Sequence, residues 1–164
     1  MGKPSSSRGK DAASPRRDGD GNEIQNKILL ALPPKEFDGV LPKLEFMRLK
    51  HHQVLHEAGE TMKSAYFWNT SMCSVLSIMP DGKSVEVGLV GKEGFLGVPL
   101  IAGFRTSHTR GIVQVEGTAF RIDAAQFRSA LRELPKLERH AQRYGQLAAL
   151  QVTQIAACNR LHEV

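Results

Sequence analysis

The sequence predicts a mainly β domain, an antiparallel roll or barrel, with flanking helices and one long helix at its C-terminus. Three observations predict it. Between Leu44 and Asp123 the apolar residues recur with a period near two, in "LEFMRLK", "QVLHEAGE", "AYFWNTSMCSVLSIM", "SVEVGLVG" and "GIVQVEGTAFRID". Turns rich in glycine separate these runs, and many short strands so divided favour a roll or barrel. After Asp123 the period changes to that of a helix.

Each element has a local reason. Residues 1–23 are rich in Ser, Gly, Pro and charge, with almost no large apolar side chains. Nothing in that composition offsets the entropy of ordering, so a disordered tail is expected. "IQNKILLAL", Ile24 to Leu32, reads as a short apolar helix stopped by Pro33-Pro34. "PKEFDGVLPKLEF" reads as a second helical turn, punctuated by Gly39 and Pro42. "MPDGKS" has the chemistry of a hairpin turn, with Pro80, Asp81 and Gly82 in turn roles. Asp123 suits the N-cap of "AAQFRSALREL". Pro135 then opens the long helix, residues 135–164.

That helix carries two neighbouring apolar stripes. One runs through Leu137, Ala141, Tyr144, Ala148, Ile155 and Cys158, the other through Leu147, Leu150, Ala157 and Leu161. So wide an apolar arc has more to bury than one packing surface takes. One stripe can lie on the roll and the other on the same helix of a second subunit, near a two-fold axis. The residues expected on this dimer helix are Tyr144, Leu147, Ala148, Gln151, Ile155 and Cys158. "NRLHEV" offers no residue to stop the helix, so the chain reads as cut in mid-element.

Composition narrows the function. The 164 residues are 41% hydrophobic and 24% charged, ordinary for a globular domain. No apolar run approaches the roughly 18 residues needed to cross a bilayer. The polar N-terminus lacks the apolar core of a secretory signal, so a cytoplasmic setting is expected. The net charge of +5 is spread along the chain, with no basic helix shaped for a DNA groove. Cys73 and Cys158 are expected to be buried structural thiols.

The order of these phrases resembles the sensor half of the Crp/Fnr family of bacterial transcription regulators, from about Asn26 to Val164. "GETMKSAYFWNTSMCSVLSIMPDGKSVEVGLVGKEGFLG" looks like that family's Gly-turn, aromatic strand, Asp-Gly hairpin and "GxEGxxG" corner. "GIVQVEGTAFRIDAAQFRSALRELPKL" looks like its last strands and the helix before the dimerisation helix. The resemblance implies a double-stranded β-helix, or jelly roll, over residues 24–134, followed by a dimerisation helix over 135–164. It implies a homodimer that detects a signal in the roll and reaches DNA only through a C-terminal helix-turn-helix, which this sequence does not include.

The corner "GKEGFLGVPLIAGFRTSHTRGIVQ" is where the resemblance places a ligand. Its glycines and arginines could cradle a phosphate, or they could form a turn and short helix packed on the roll. A cyclic nucleotide needs a cation and backbone N–H groups for its phosphate, and an acceptor for its ribose hydroxyl. Family members that bind cyclic AMP carry Gly-Glu-Leu here, with Arg-Ser or Arg-Thr about ten residues on. This chain has Gly97-Val98-Pro99, so Val98 replaces the carboxylate and Pro99 removes an N–H. Alignment on "GTAF" puts Arg110 at the phosphate-binding arginine and Gly111 at the Ser or Thr. The expected effector site is therefore Gly97, Val98, Pro99, Arg110 and Gly111, open to some small anionic effector but without tight cyclic AMP binding.

Other constellations point away from catalysis. His51, His52 and His56 suggest the metal-binding cupins, yet the His-x-His hallmark of those proteins is missing. The glycines match neither a Walker loop nor a dinucleotide turn. No serine has nucleophile-elbow context and no two carboxylates are paired for acid–base work. The expectation is a regulatory domain with no catalytic residues, no metal and no cofactor. The alternatives are a cupin-like metalloprotein and a true cyclic-nucleotide-binding module.

Overall fold

The computed structural model describes residues 14–161, with side chains described as far as residue 155. The expected tail up to residue 13, the chain end at 162–164 and the side chain of Cys158 lie outside the described residues.

Helix α1 (Lys27–Leu30) and helix α2 (Pro34–Val40) come first, with a 3-10 turn at Leu41–Lys43. Eight strands follow, with the short helix between β6 and β7: β1 (Glu45–Leu49), β2 (Val54–His56), β3 (Ser64–Trp68), β4 (Met72–Ile78), β5 (Ser84–Val90), β6 (Phe95–Leu96), β7 (Thr109–Val115) and β8 (Gly117–Asp123). A 3-10 helix, Val98–Ala102, joins β6 to β7. Helices α3 (Ala124–Glu133) and α4 (Pro135–Leu161) complete the chain. The strands form two four-stranded antiparallel sheets, ordered β1-β8-β3-β6 and β2-β7-β4-β5. This is the expected jelly roll with a long C-terminal helix.

The punctuation read from sequence is present. The β4–β5 hairpin closes through Met79 N–H to the Lys83 carbonyl, with Gly82 at φ +83°. The Asp123 carboxylate accepts from the N–H groups of Ala125 (2.8 Å) and Gln126 (3.2 Å), capping α3.

Two of the long strand phrases divide. "AYFWNTSMCSVLSIM" breaks at residues 69–71, where the N–H groups of Asn69, Thr70 and Ser71 all point at the Thr118 carbonyl. β3 therefore joins one sheet and β4 the other. "GIVQVEGTAFRID" divides likewise at Glu116. A period-two pattern does not register which sheet a strand belongs to, and a corner of one or two residues leaves it unbroken.

The apolar segment before the prolines forms one helical turn rather than a longer helix. Asn26 caps it and is fully buried. Its Oδ1 accepts from the N–H groups of Ile28 and Leu29, while its Nδ2 donates to the carbonyls of Trp68 (3.0 Å) and Gly94 (2.8 Å). The last residues of the expected tail are also in contact with the body. Asp18 closes a turn by accepting from Asp20 and Asn22. The Arg16 guanidinium lies 4.5 Å from the Phe37 ring centre and donates to the Leu29 carbonyl. Low apolar content does not report such side chain–backbone and cation–π contacts.

Helix α4 packs on β5, on the 3-10 helix after β6, on α3 and on α1. Its first turn is held from α2: the Glu36 carboxylate accepts from the N–H groups of Lys136 and Leu137 at 3.0 Å. A carboxylate there meets both the orphan N–H groups and the positive end of the helix dipole. Leu137, Ala141 and Tyr144 bury one stripe of α4 against the body, whereas Leu147 and Leu150 are 51% and 63% exposed. The rings of Phe67, Phe95, Phe127 and Tyr144 tie one sheet to α3 and α4, with the Phe95 and Tyr144 centroids 5.4 Å apart.

Candidate effector site between the roll and the long helix

The chain turns sharply after β6 because Gly97 adopts φ +125°. A Cβ there would sit 2.9 Å from the Ala65 Cβ, so glycine suits both the backbone angle and the close approach. The 3-10 helix begins at once, with Leu100 N–H donating to the Gly97 carbonyl at 2.9 Å. Pro99 brings no N–H to that turn.

Between this corner, β5 and α4 lies a cavity of about 290 Å³. The corner contributes Leu96, Gly97, Val98 and Pro99, β5 contributes Val87 and Leu89, and α4 contributes Tyr144, Ala148, Gln151 and Val152. The lining is largely apolar and includes no Lys, Arg, Asp or Glu. Burial pushes the Tyr144 phenol above its ordinary range, so it stays neutral.

Of the five residues expected to hold an effector, Gly97, Val98 and Pro99 line the cavity. Gly111 lies beneath it, where a Cβ would come 2.8 Å from Leu96 and 2.9 Å from the His56 ring. Arg110 is not among the residues that line the cavity. Gly111 pairs with Val75 and points inward, so its neighbour Arg110 points out of the roll. Its Nε donates to Glu57 at 2.7 Å, and both side chains are more than a third exposed. Such a pair contributes little to stability, roughly 0–1 kcal/mol. It does direct the arginine away from the cavity. A small anionic effector would therefore find no cation among the lining residues.

The dimer-helix set also divides. Tyr144, Ala148 and Gln151 line this chain's own cavity. Leu147 is on the open face and Ile155 is half-buried.

The sequence reading missed the polar groups of the cavity. His56 is only 9% exposed and lines it. Its Nε2 is buried and has no hydrogen-bond partner. Burial pushes its pKa below the ordinary value. Ser107 and Thr109 also line the wall, but their hydroxyls bond each other at 2.8 Å. The inward turn of His56 was legible in the alternation of "QVLHEAGE". His51 and His52 are exposed and stack on each other, with His52 at φ +62° in a turn, so strand alternation does not bring them to His56. Among the described residues no three His, Cys, Asp or Glu side chains group to hold a metal.

The sequence matches the family described as "Cyclic nucleotide-binding domain" over residues 46–133, more than half of the chain. It belongs to that family. Among solved structures, the fold of this cyclic nucleotide-binding domain matches sensor domains of Crp/Fnr-type regulators. The c-di-GMP responsive global regulator CLP of Xanthomonas campestris aligns at TM-score 0.66 and 13% identity, over 76% of this chain and 63% of that one. A mutant of CooA from Carboxydothermus hydrogenoformans aligns at 0.62 and 16%, over 87% of this chain and 90% of that one. The sensor domain of the transcriptional regulator DNR from Pseudomonas aeruginosa aligns at 0.57 and 14%, over 84% and 87%. The chain thus spans less than two thirds of the length of CLP. No curated protein matches the sequence. Among the described residues no helix is long and apolar enough to cross a membrane.

Proposed function

We propose that this chain is the signal-sensing, dimerising part of a Crp/Fnr-type transcription regulator, acting in the cytoplasm and without catalysis of its own. The observation that carries this reading is that α4 forms one wall of the cavity. An occupant touching Val98 and Ala148 touches roll and helix together, so it favours whichever angle of α4 fits it best. The opposite face of α4 leaves Leu147 and Leu150 exposed, and a second α4 would cover them in a homodimer. DNA contact, on this reading, belongs to a helix-turn-helix beyond the dimer helix.

Cyclic AMP does not suit the cavity. Val98 offers no carboxylate to a ribose hydroxyl, Pro99 offers no N–H to a phosphate, and Arg110 is engaged outside. Each missing hydrogen bond to a ligand costs on the order of 1–3 kcal/mol. Titration calorimetry tests this: no binding of cyclic AMP at micromolar concentration is expected. A low-micromolar Kd abolished by Arg110→Ala would refute it. Sedimentation of the 164-residue chain tests the dimer, and a strictly monomeric chain at high micromolar concentration would refute that part.

A further inference from the structure

The walls of the cavity between the corner, β5 and α4 offer an occupant apolar contact and little else. No charged side chain lines it, and the polar ones are engaged, turned away or at the rim. Ser107 and Thr109 bond each other through their hydroxyls at 2.8 Å, and the Ser107 Oγ also accepts from the Thr109 N–H. His56 is nine-tenths buried, and its Nε2 has almost no accessible surface for an occupant to touch. The hydroxyl end of Tyr144 rests against Gly94, which is not a lining residue. Gln151 is exposed and borders the open face of α4 as well, so it stands at the rim. The remaining surface comes from apolar side chains such as Met62, Val75, Val87, Leu96, Val98 and Ala148.

Such a wall selects by what it withholds. A charged group brought here would lose its hydration with no partner to replace it, and a polar group would lose hydrogen bonds to water. Water itself needs about two to four polar partners to settle in a cavity. An apolar molecule forgoes nothing and removes its own surface from water. Taking the cavity as the sensory site, we propose that it receives an uncharged, wholly apolar molecule, a hydrocarbon ring system or its like, held by burial alone with no hydrogen bond or ion pair from the chain. The volume of about 290 Å³ sets the size. An engineered apolar cavity of roughly 150 Å³ holds benzene, so two fused rings suit this one. The occupant touches Val98 of the corner and Ala148 of α4 together, and through them its presence reaches the helix.

The test uses the full chain with naphthalene, naphthol and naphthoate, which share a ring system and differ in polarity. Calorimetry should find naphthalene bound with a negative heat-capacity change, the mark of buried apolar surface. Naphthol should bind no more tightly than naphthalene, because no free group in the wall waits for its hydroxyl. Naphthoate, charged at neutral pH, should bind at least about tenfold more weakly. The methyl resonances of Val87, Val98 and Val152 should move with naphthalene, a readout that needs no variant. Ala148→Trp should fill the cavity and abolish binding.

No binding of naphthalene up to its solubility, naphthoate held as tightly as naphthalene, naphthol held more tightly than naphthalene, stationary methyl resonances, or binding retained in Ala148→Trp would each overturn the proposal. The sensory reading fails differently. Naphthalene binding in the cavity that leaves both the α4 amide resonances and the dimer equilibrium unmoved would uphold the ligand class and refute the coupling.

Discussion

The phenol ring of Tyr144, in α4, lies directly on Gly94, in the turn before β6, so that a Cβ on Gly94 would collide with the hydroxyl end of the ring. The turn and the helix thus share one contact that any side chain at 94 would break. Gly94→Ala should lower stability by about 1–3 kcal/mol through overpacking, measured by urea unfolding. Tyr144→Ala should relieve the clash, so the two changes should be non-additive in a double-mutant cycle. Additive effects would show that the ring can swing aside at no cost.

Asn26 offers a second test of how the helices are seated. Its side chain caps α1 and also satisfies the carbonyls of Trp68 and Gly94. Asn26→Ala should cost about 3 kcal/mol, the loss of a cap together with two buried carbonyls left unmet. Asn26→Asp keeps the cap and loses both donors, so it should also destabilise. A neutral Asn26→Asp would mean that water replaces the amide.

The open stripe of α4 predicts separable effects on assembly and folding. Leu147→Lys with Leu150→Lys should weaken self-association by at least about tenfold in sedimentation, as expected for central apolar contacts. Unfolding of the isolated protomer should change by no more than about 0.5 kcal/mol, because both side chains are exposed within it.

His56 predicts a pH dependence of definite sign. Burial lowers its pKa in the folded chain below the ordinary 6.5. Just under pH 6.5 the unfolded chain therefore binds more protons than the folded one. Stability is full above that pH and declines as pH falls from 6.5 towards the folded pKa. His56→Leu should remove this contribution. A wild-type stability curve that is flat between pH 7 and 5.5, after correction with the variant, would contradict the burial of a neutral ring.

The sequence conveyed the roll, the hairpin, the capped α3 and the long helix, since each rests on periodicity or on a residue with one strong local preference. The way Arg110 faces is different in kind. It depends on the pairing of Gly111 with Val75, and a shift of one residue would have aimed the arginine inward. The corners at residues 69–71 and at Glu116 were hidden because alternation continues across them. The phase of His56 was readable, but its solitude was not. An unmet nitrogen is a property of everything around it, and those neighbours come from strands, a loop and a helix far apart in the chain.

The Glu36 carboxylate on the first turn of α4 has a consequence for where the folding unit ends. The segment that matches the family, 46–133, excludes Glu36, the buried Ile24, Leu29, Leu32 and Val40, and the whole of α4. Cutting a gene at those limits would strip an apolar floor from the barrel and leave the cavity without its helical wall. The segment that carries the family match is smaller than the packed unit, and Glu36 fastens together two of the elements that the match leaves out.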